Sequence, residues 1–117
     1  MNEFFKAIID VDDEPIVICN MEHTILYMNP TAIARYVKWG GEALVGKSLM
    51  DCHNPHSKEV ILSVLADFRA NPKLGKVHTF SKVKDGEDAD IYMVALRNED
   101  GELIGYYEKH ESRIHER

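Results

Sequence analysis

Ile25-Leu26-Tyr27-Met28-Asn29-Pro30-Thr31-Ala32 is the stretch on which the fold turns. Its first half is a short apolar run of the kind that forms a strand. Its second half changes the geometry, because Asn is a favoured helix N-cap and Pro is preorganised for the first helical position. The chain is therefore expected to pass from strand to helix at Asn29, with a short helix over Thr31 to Val37. Upstream, Ile16-Val17-Ile18-Cys19 is a second β-branched run, and the polar segment Asn20 to Thr24 lies between the two. Two such runs across a tight polar turn predict a β-hairpin. Further upstream, Phe4, Phe5, Ile8 and Ile9 fall on one face of a helix over Glu3 to Asp10. Asp12, Asp13, Glu14 and Pro15 end it.

Downstream, Gly40-Gly41 and Gly46 break the chain, with a single turn expected at Glu42-Ala43-Leu44. Asn54-Pro55 repeats the cap device. After it, Val60, Ile61, Val64, Leu65 and Phe68 recur at helical spacing, which predicts one long helix from about Pro55 to Ala70. Its polar face carries Lys58, Glu59, Ser63, Asp67 and Arg69, and Asn71-Pro72 and Gly75 close it. The last third changes period. Val77 to Val83, Ile91 to Leu96 and Leu103 to Tyr107 read as strands, with turn signals at Asp85-Gly86 and at Glu99 to Glu102. The segment His110 to Arg117 is polar and reads as a tail that either frays or continues as a solvated helix. Strands joined by short turns are antiparallel neighbours. The expected fold class is α+β: a five-stranded antiparallel sheet with several helices packed on one face.

Length and charge remove other classes. At 117 residues the chain fits one domain, and it buries roughly two-thirds of its unfolded surface, enough for one core and a small cavity. A net charge of −6 and basic residues scattered among acids argue against nucleic acid, which requires a cationic face. No apolar run approaches the roughly 18 residues of a membrane span, and the start resembles no secretory signal. A cytoplasmic location is the expectation, with no membrane contact. Cys19 and Cys52 form no C-x-x-C pair and are expected to be buried thiols.

Three motifs together carry a resemblance. Ile25 to Ala32 resembles the "strand, Asn-Pro-Ala" passage into the first inner helix of the PAS domain family. Leu44-Val45-Gly46-Lys47-Ser48-Leu49 resembles the family's "(I/L)-(I/V)-G-K-(S/P)-(L/F)" turn, and Asn98 to Gly105 its "D-x-x-G-x-(I/V)-G" hairpin. The likeness covers about residues 3 to 112, though the family's Asp-Ile-Thr exit is missing. Gly46 to Ser57 is similar to a bacterial PAS subgroup with a Cys-His-x-Pro pattern before the long helix. One departure is visible in the first hairpin, where Glu22-His23 stands in place of the usual Asp-Gly. The resemblance implies a sensory or interaction module with a cavity between sheet and inner helices, able to hold haem, flavin, another small molecule or nothing. It implies a single domain over 1–117, with a flanking helix over 1–10, a core over 15–110 and a polar tail over 111–117.

The chemistry can be weighed on the residues. Tyr36, Trp39, Leu49, Val60, Val64, Phe68, Phe80, Met93 and Ala95 are expected to line the space between the long helix and the sheet; the same residues also serve as plain core. His53 and His56 stand at the start of the long helix. Imidazole ligates haem iron, so either is the candidate axial ligand if haem is the cofactor; otherwise they brace the loop and cap the helix. Cys52, His53 and His56 lack the second close pair that a zinc site requires, His110 and His115 being the one further pair, and no metal site is expected. Cys52 has neither the Arg nor the Gln partner of a flavin-reactive cysteine. No nucleophile elbow, zincin or phosphate-cradling motif is present, so no enzyme is expected. Output is expected to pass through an unidentified signalling partner or through self-association. Phe4, Phe5, Ile8 and Ile9, if exposed, would make a homodimer patch. Two functions stay open: a sensor binding a small hydrophobic or haem-type ligand, and a ligand-free dimerisation or protein-interaction module.

Overall fold

In the computed structural model, residues 2–84 and 87–113 are described. Five strands form one antiparallel sheet: β1 (Ile16–Asn20), β2 (Ile25–Met28), β3 (Lys76–Lys84), β4 (Glu87–Arg97) and β5 (Leu103–Ser112). Their order across the sheet is β2-β1-β5-β4-β3, which puts β5 at the centre. Helix α1 (Glu3–Asp10) precedes the sheet, and α2 (Pro30–Arg35) and α3 (Pro55–Ala70) lie between β2 and β3. Three 3-10 turns, Val37–Trp39, Gly41–Leu44 and Leu49–Cys52, link α2 to α3.

The caps act as the sequence predicts. Asn29 caps α2, accepting from the Ala32 amide at 2.9 Å, and Asn54 caps α3, accepting from Ser57 at 2.8 Å. Asn29 does more than cap. It is fully buried. Its Oδ1 also accepts from Ile16 N, and its Nδ2 donates to the carbonyls of Ile9 and Glu14, each at 3.0 Å. One side chain thus joins the end of α1, the start of β1 and the start of α2. At the other end of α3, the Arg97 guanidinium reaches over from β4. It donates to the carbonyls of Phe68 at 2.8 Å and of Asn71 and Leu74 at 3.2 Å, covering acceptors that the helix end leaves open.

Two backbone positions are specific. His23 turns the first hairpin at φ 68°, a region costly for a residue with a Cβ. Its ring compensates in part, because Nδ1 lies 2.8 Å from the hydroxyl of buried Tyr106. At Gly105, opposite Asn20 on β1, a Cβ would stand 2.3 Å from the Cys19 carbonyl oxygen, so the approach of β1 to β5 requires glycine.

The structure corrects the sequence reading in three places. The last strand runs to Ser112 rather than Tyr107, so His110 to Ser112 belong to the sheet and not to a tail. The reason is β4, which starts at Glu87 and pairs Ile91 with His110, Asp90 with Glu111 and Ala89 with Ser112. The short helix stops at Arg35, and Val37–Trp39 is a 3-10 turn. Cys52 is exposed, while Cys19 is buried. The Asp85-Gly86 turn, His115 and the end of the tail lie outside the described residues.

Candidate functional site

Helix α3 closes half of the sheet's inner face. Its buried side chains Ile61, Val64, Leu65 and Phe68 belong to one packed cluster with Cys19, Met93 and Tyr106. The other half is covered by the short α2, the 3-10 turns and the first turn of α3. There the packing leaves a cavity of about 450 Å³. Its apolar walls are Val17, Ile25 and Met28 from β1 and β2, Leu44 and Leu49 from the turns, and Phe80 and Ile91 from β3 and β4. Tyr36 and Trp39 stand edge to face, 6.2 Å between ring centres, on the helical side. Phe80 points inward because of a β-bulge between His78 and Phe80, which shifts the alternation of β3 by one residue.

One part of the wall is polar. Glu108 and His110 come from β5, Cys52, His53 and Ser57 from the approach to α3, and Ser81 and Lys82 from β3. Glu108 sits on the central strand, paired with Val17 on one side and Met93 on the other. Its side chain is 14% exposed, and His53 Nε2 stands 3.5 Å from its Oε1. The other ring nitrogen of His53, Nδ1, donates to the Leu49 carbonyl at 2.8 Å, which fixes the ring. The Glu108 carboxylate raises the His53 pKa above the usual imidazole value; burial and Lys58 oppose this without reversing it. His110 is buried, with Tyr36 Oη 3.5 Å from its Nε2. Although exposed, Cys52 is partly desolvated, and that together with nearby Asp51 and Glu108 pushes its thiol up, which keeps it protonated rather than nucleophilic.

Of the residues that the sequence offered for this site, Tyr36, Trp39, Leu49, His53 and Phe80 border the cavity. Val64, Phe68 and Met93 lie in the packed cluster beside it, with Val60 and Ala95 half-buried against that cluster. His56 is exposed, its ring 6.5 Å from that of Phe80 and edge-on to it. The cavity therefore lies against the 3-10 turns rather than against the body of the long helix. Glu108 and His110 lie beyond the strand that the sequence predicts, which stops at Tyr107, whereas β5 runs to Ser112. The signal was present: Tyr106, Glu108 and His110 alternate along one face of a strand. Among the described residues no group of three or more His, Cys, Asp or Glu is arranged to hold a metal ion.

A family model for the PAS fold matches residues 9–109. The chain is a member of the PAS family. Solved structures agree on the fold. A C-terminal domain from Streptococcus mutans has a TM-score of 0.72 at 20% identity, over 92% of this chain and 81% of its own. A PAS domain from Colwellia psychrerythraea has a TM-score of 0.65 at 18% identity, over 94% of each chain. A sensory box sensor histidine kinase from Vibrio cholerae has a TM-score of 0.63 at 12% identity, over 92% of this chain and 86% of its own. No curated protein matches the chain.

Neither histidine that the sequence offers as an axial haem ligand is placed for that role in this PAS domain. His53 is oriented as metal-bound imidazoles commonly are, with one ring nitrogen on a carbonyl. Its other nitrogen, however, faces the Glu108 carboxylate, and His56 does not reach the cavity.

Proposed function

We propose that this PAS domain is a sensory module that binds a small organic molecule in the 450 Å³ cavity and signals through contacts with a partner protein. The observation that carries the reading is the cavity itself, with apolar walls and a carboxyl–imidazole pair, Glu108 and His53, along one side. Such concave sites with a few convergent polar groups are the usual form of ligand pockets. The sensor histidine kinase among the structural neighbours is a sensory protein in its own right and favours the same assignment. The reading takes residues 1–117 as one domain, without catalysis of its own, acting in the cytoplasm. Native mass spectrometry of freshly purified protein tests it. The expected result is a small-molecule adduct, or a rise in melting temperature with members of a small-molecule panel. Protein without adduct that no panel member stabilises would refute it.

A second reading has its own observation. No residue of α1 is buried, and Phe4, Phe5 and Ile8 are 72%, 63% and 67% exposed. An apolar patch of that kind marks an association surface, which supports a homodimer through the N-terminal helix, with or without ligand. Solution mass before and after deletion of residues 1–10 tests it: a dimer that survives the deletion argues against this interface.

A further inference from the structure

We propose that the cavity selects a small amphipathic cation, a protonated amine or amidine on an apolar body, whose head binds the Glu108 carboxylate in place of His53. This rests on the ligand-binding reading above and specifies its chemistry. The argument begins with where Glu108 stands. It occupies the central strand, and its cross-strand neighbours Val17 and Met93 are 5% and 1% exposed. A carboxylate there loses most of its hydration, and that loss is costly unless a partner of opposite charge replaces the water.

The partner in this structure is a loose one. The His53 contact is 3.5 Å, against about 2.7–2.9 Å for a close charged hydrogen bond. His53 is also tied to the Leu49 carbonyl through its other ring nitrogen at 2.8 Å. An ammonium or amidinium from the cavity meets no such restraint and can close on the carboxylate directly. The remaining wall charge, Lys82, is exposed on edge strand β3, where water screens it. His110 is held beside the Tyr36 hydroxyl. Glu108 is thus the one carboxylate in the cavity wall among the described residues. The apolar body of the ligand finds Ile25, Leu44, Leu49 and Phe80, and the faces of Tyr36 and Trp39 favour a cation over an anion.

Three probes of one shape test this on the whole chain at pH 7: benzamidine, benzyl alcohol and benzoate, followed by amide NMR titration. The expected result is that benzamidine shifts the resonances of Leu49, Phe80, Ile91 and His110 and binds roughly tenfold or more tightly than the other two. Glu108→Gln should lose that preference and leave benzyl alcohol unchanged. His53→Gln should strengthen benzamidine severalfold by removing the internal competitor. If Glu108→Gln does not fold, the ranking of the three probes on the natural chain, together with His53→Gln, decides. Benzoate binding as tightly as benzamidine overturns the proposal, as does benzamidine affinity that survives in Glu108→Gln or stays unmoved in His53→Gln. Entry of benzyl alcohol without benzamidine overturns the cation and leaves the cavity reading standing. Entry of none of the three overturns both.

Discussion

Replacing Asn29 with alanine should cost far more than an ordinary helix cap. An N-cap Asn is worth about 1 kcal/mol. Here the side chain makes four hydrogen bonds, at 2.9–3.0 Å, while fully buried. Two of its partners, the amides of Ile16 and Ala32, are buried, and leaving each without an acceptor costs about 1–3 kcal/mol. The carbonyls of Ile9 and Glu14 are better hydrated and add about 0.5 kcal/mol each. The expected loss for Asn29→Ala is about 4 kcal/mol, a large share of the roughly 5–15 kcal/mol that a domain of this size has. With a urea slope of about 1.5 kcal/mol per M, the midpoint should fall by about 2–3 M. Asn29→Asp sharpens the test. It keeps both acceptor bonds and sets a carboxylate oxygen against two carbonyls, so it should lose about as much as alanine. Asn29→Ser keeps only the cap and should fall between. Far-UV circular dichroism in urea reads all three. A loss near 1 kcal/mol in Asn29→Ala, or an Asp variant close to the natural protein, would mean that the junction of α1, β1 and α2 does not depend on this side chain.

Gly105→Ala should destabilise by about 3 kcal/mol, because its Cβ meets the Cys19 carbonyl at 2.3 Å and backbone must move. Gly101→Ala, at φ 83° with open space around it, should cost only about 1–2 kcal/mol, and equal losses in urea melts would contradict the close approach. Arg97→Ala should lose about 1–2 kcal/mol, with Arg97→Lys recovering part of it. Hydrogen exchange should then quicken first in the last turn of α3, and uniform quickening would count against the cap. His53 has a folded pKa raised above 6.5, chiefly by Glu108, so its contribution is complete below 6.5 and is lost as pH rises through the raised value. Its surroundings are Glu108 from β5, Lys58 from α3 and the Leu49 carbonyl. His23, lowered by burial and by Arg69, acts in the opposite sense: stability is gained as pH rises from its depressed value towards 6.5. Melting temperature against pH should therefore decline above 6.5 in the natural chain and not in His53→Gln, and a decline that persists in the variant refutes the pairing.

What could be read from the sequence follows where local physics decides. Asn29-Pro30 and Asn54-Pro55 fix two helix starts through hydrogen bonds that span three residues. The apolar recurrence from Val60 to Phe68 fixes which face of α3 is buried. The strand boundaries of β4 and β5 do not follow from local pattern. Asp90, Glu108, Lys109 and Glu111 read as solvated residues, yet they extend both strands because each pairs between β4 and β5, and Asp88 extends β4 by pairing with Val83 on β3. Arg113 then closes that end on Asp88 and Asp90 at 2.5 and 2.6 Å. Charges on both faces of a paired ribbon erase the alternation that marks a half-buried strand.

The site was harder to read than the fold for the same reason. Its apolar walls are drawn from ordinary core residues, which hydrophobicity alone cannot sort into lining and filling. The division is made by coverage: α3 spans one half of the inner face, and the short α2 with three one-turn 3-10 segments, separated at Gly40 and past Gly46, covers the other. The bulge at Thr79 decides that Phe80 points in, and nothing in Val77 to Val83 announces it, since Thr79 settles the extra residue with a bond to the Ile91 carbonyl at 3.0 Å. Glu108 and His110 look like part of a polar tail until β5 is seen to be the central strand. Once the register is known, the same two residues become the most informative in the chain. A charged side chain between Val17 and Met93 contributes nothing to packing that a leucine would not do better. Its carboxylate instead borders the cavity, 3.5 Å from the His53 ring.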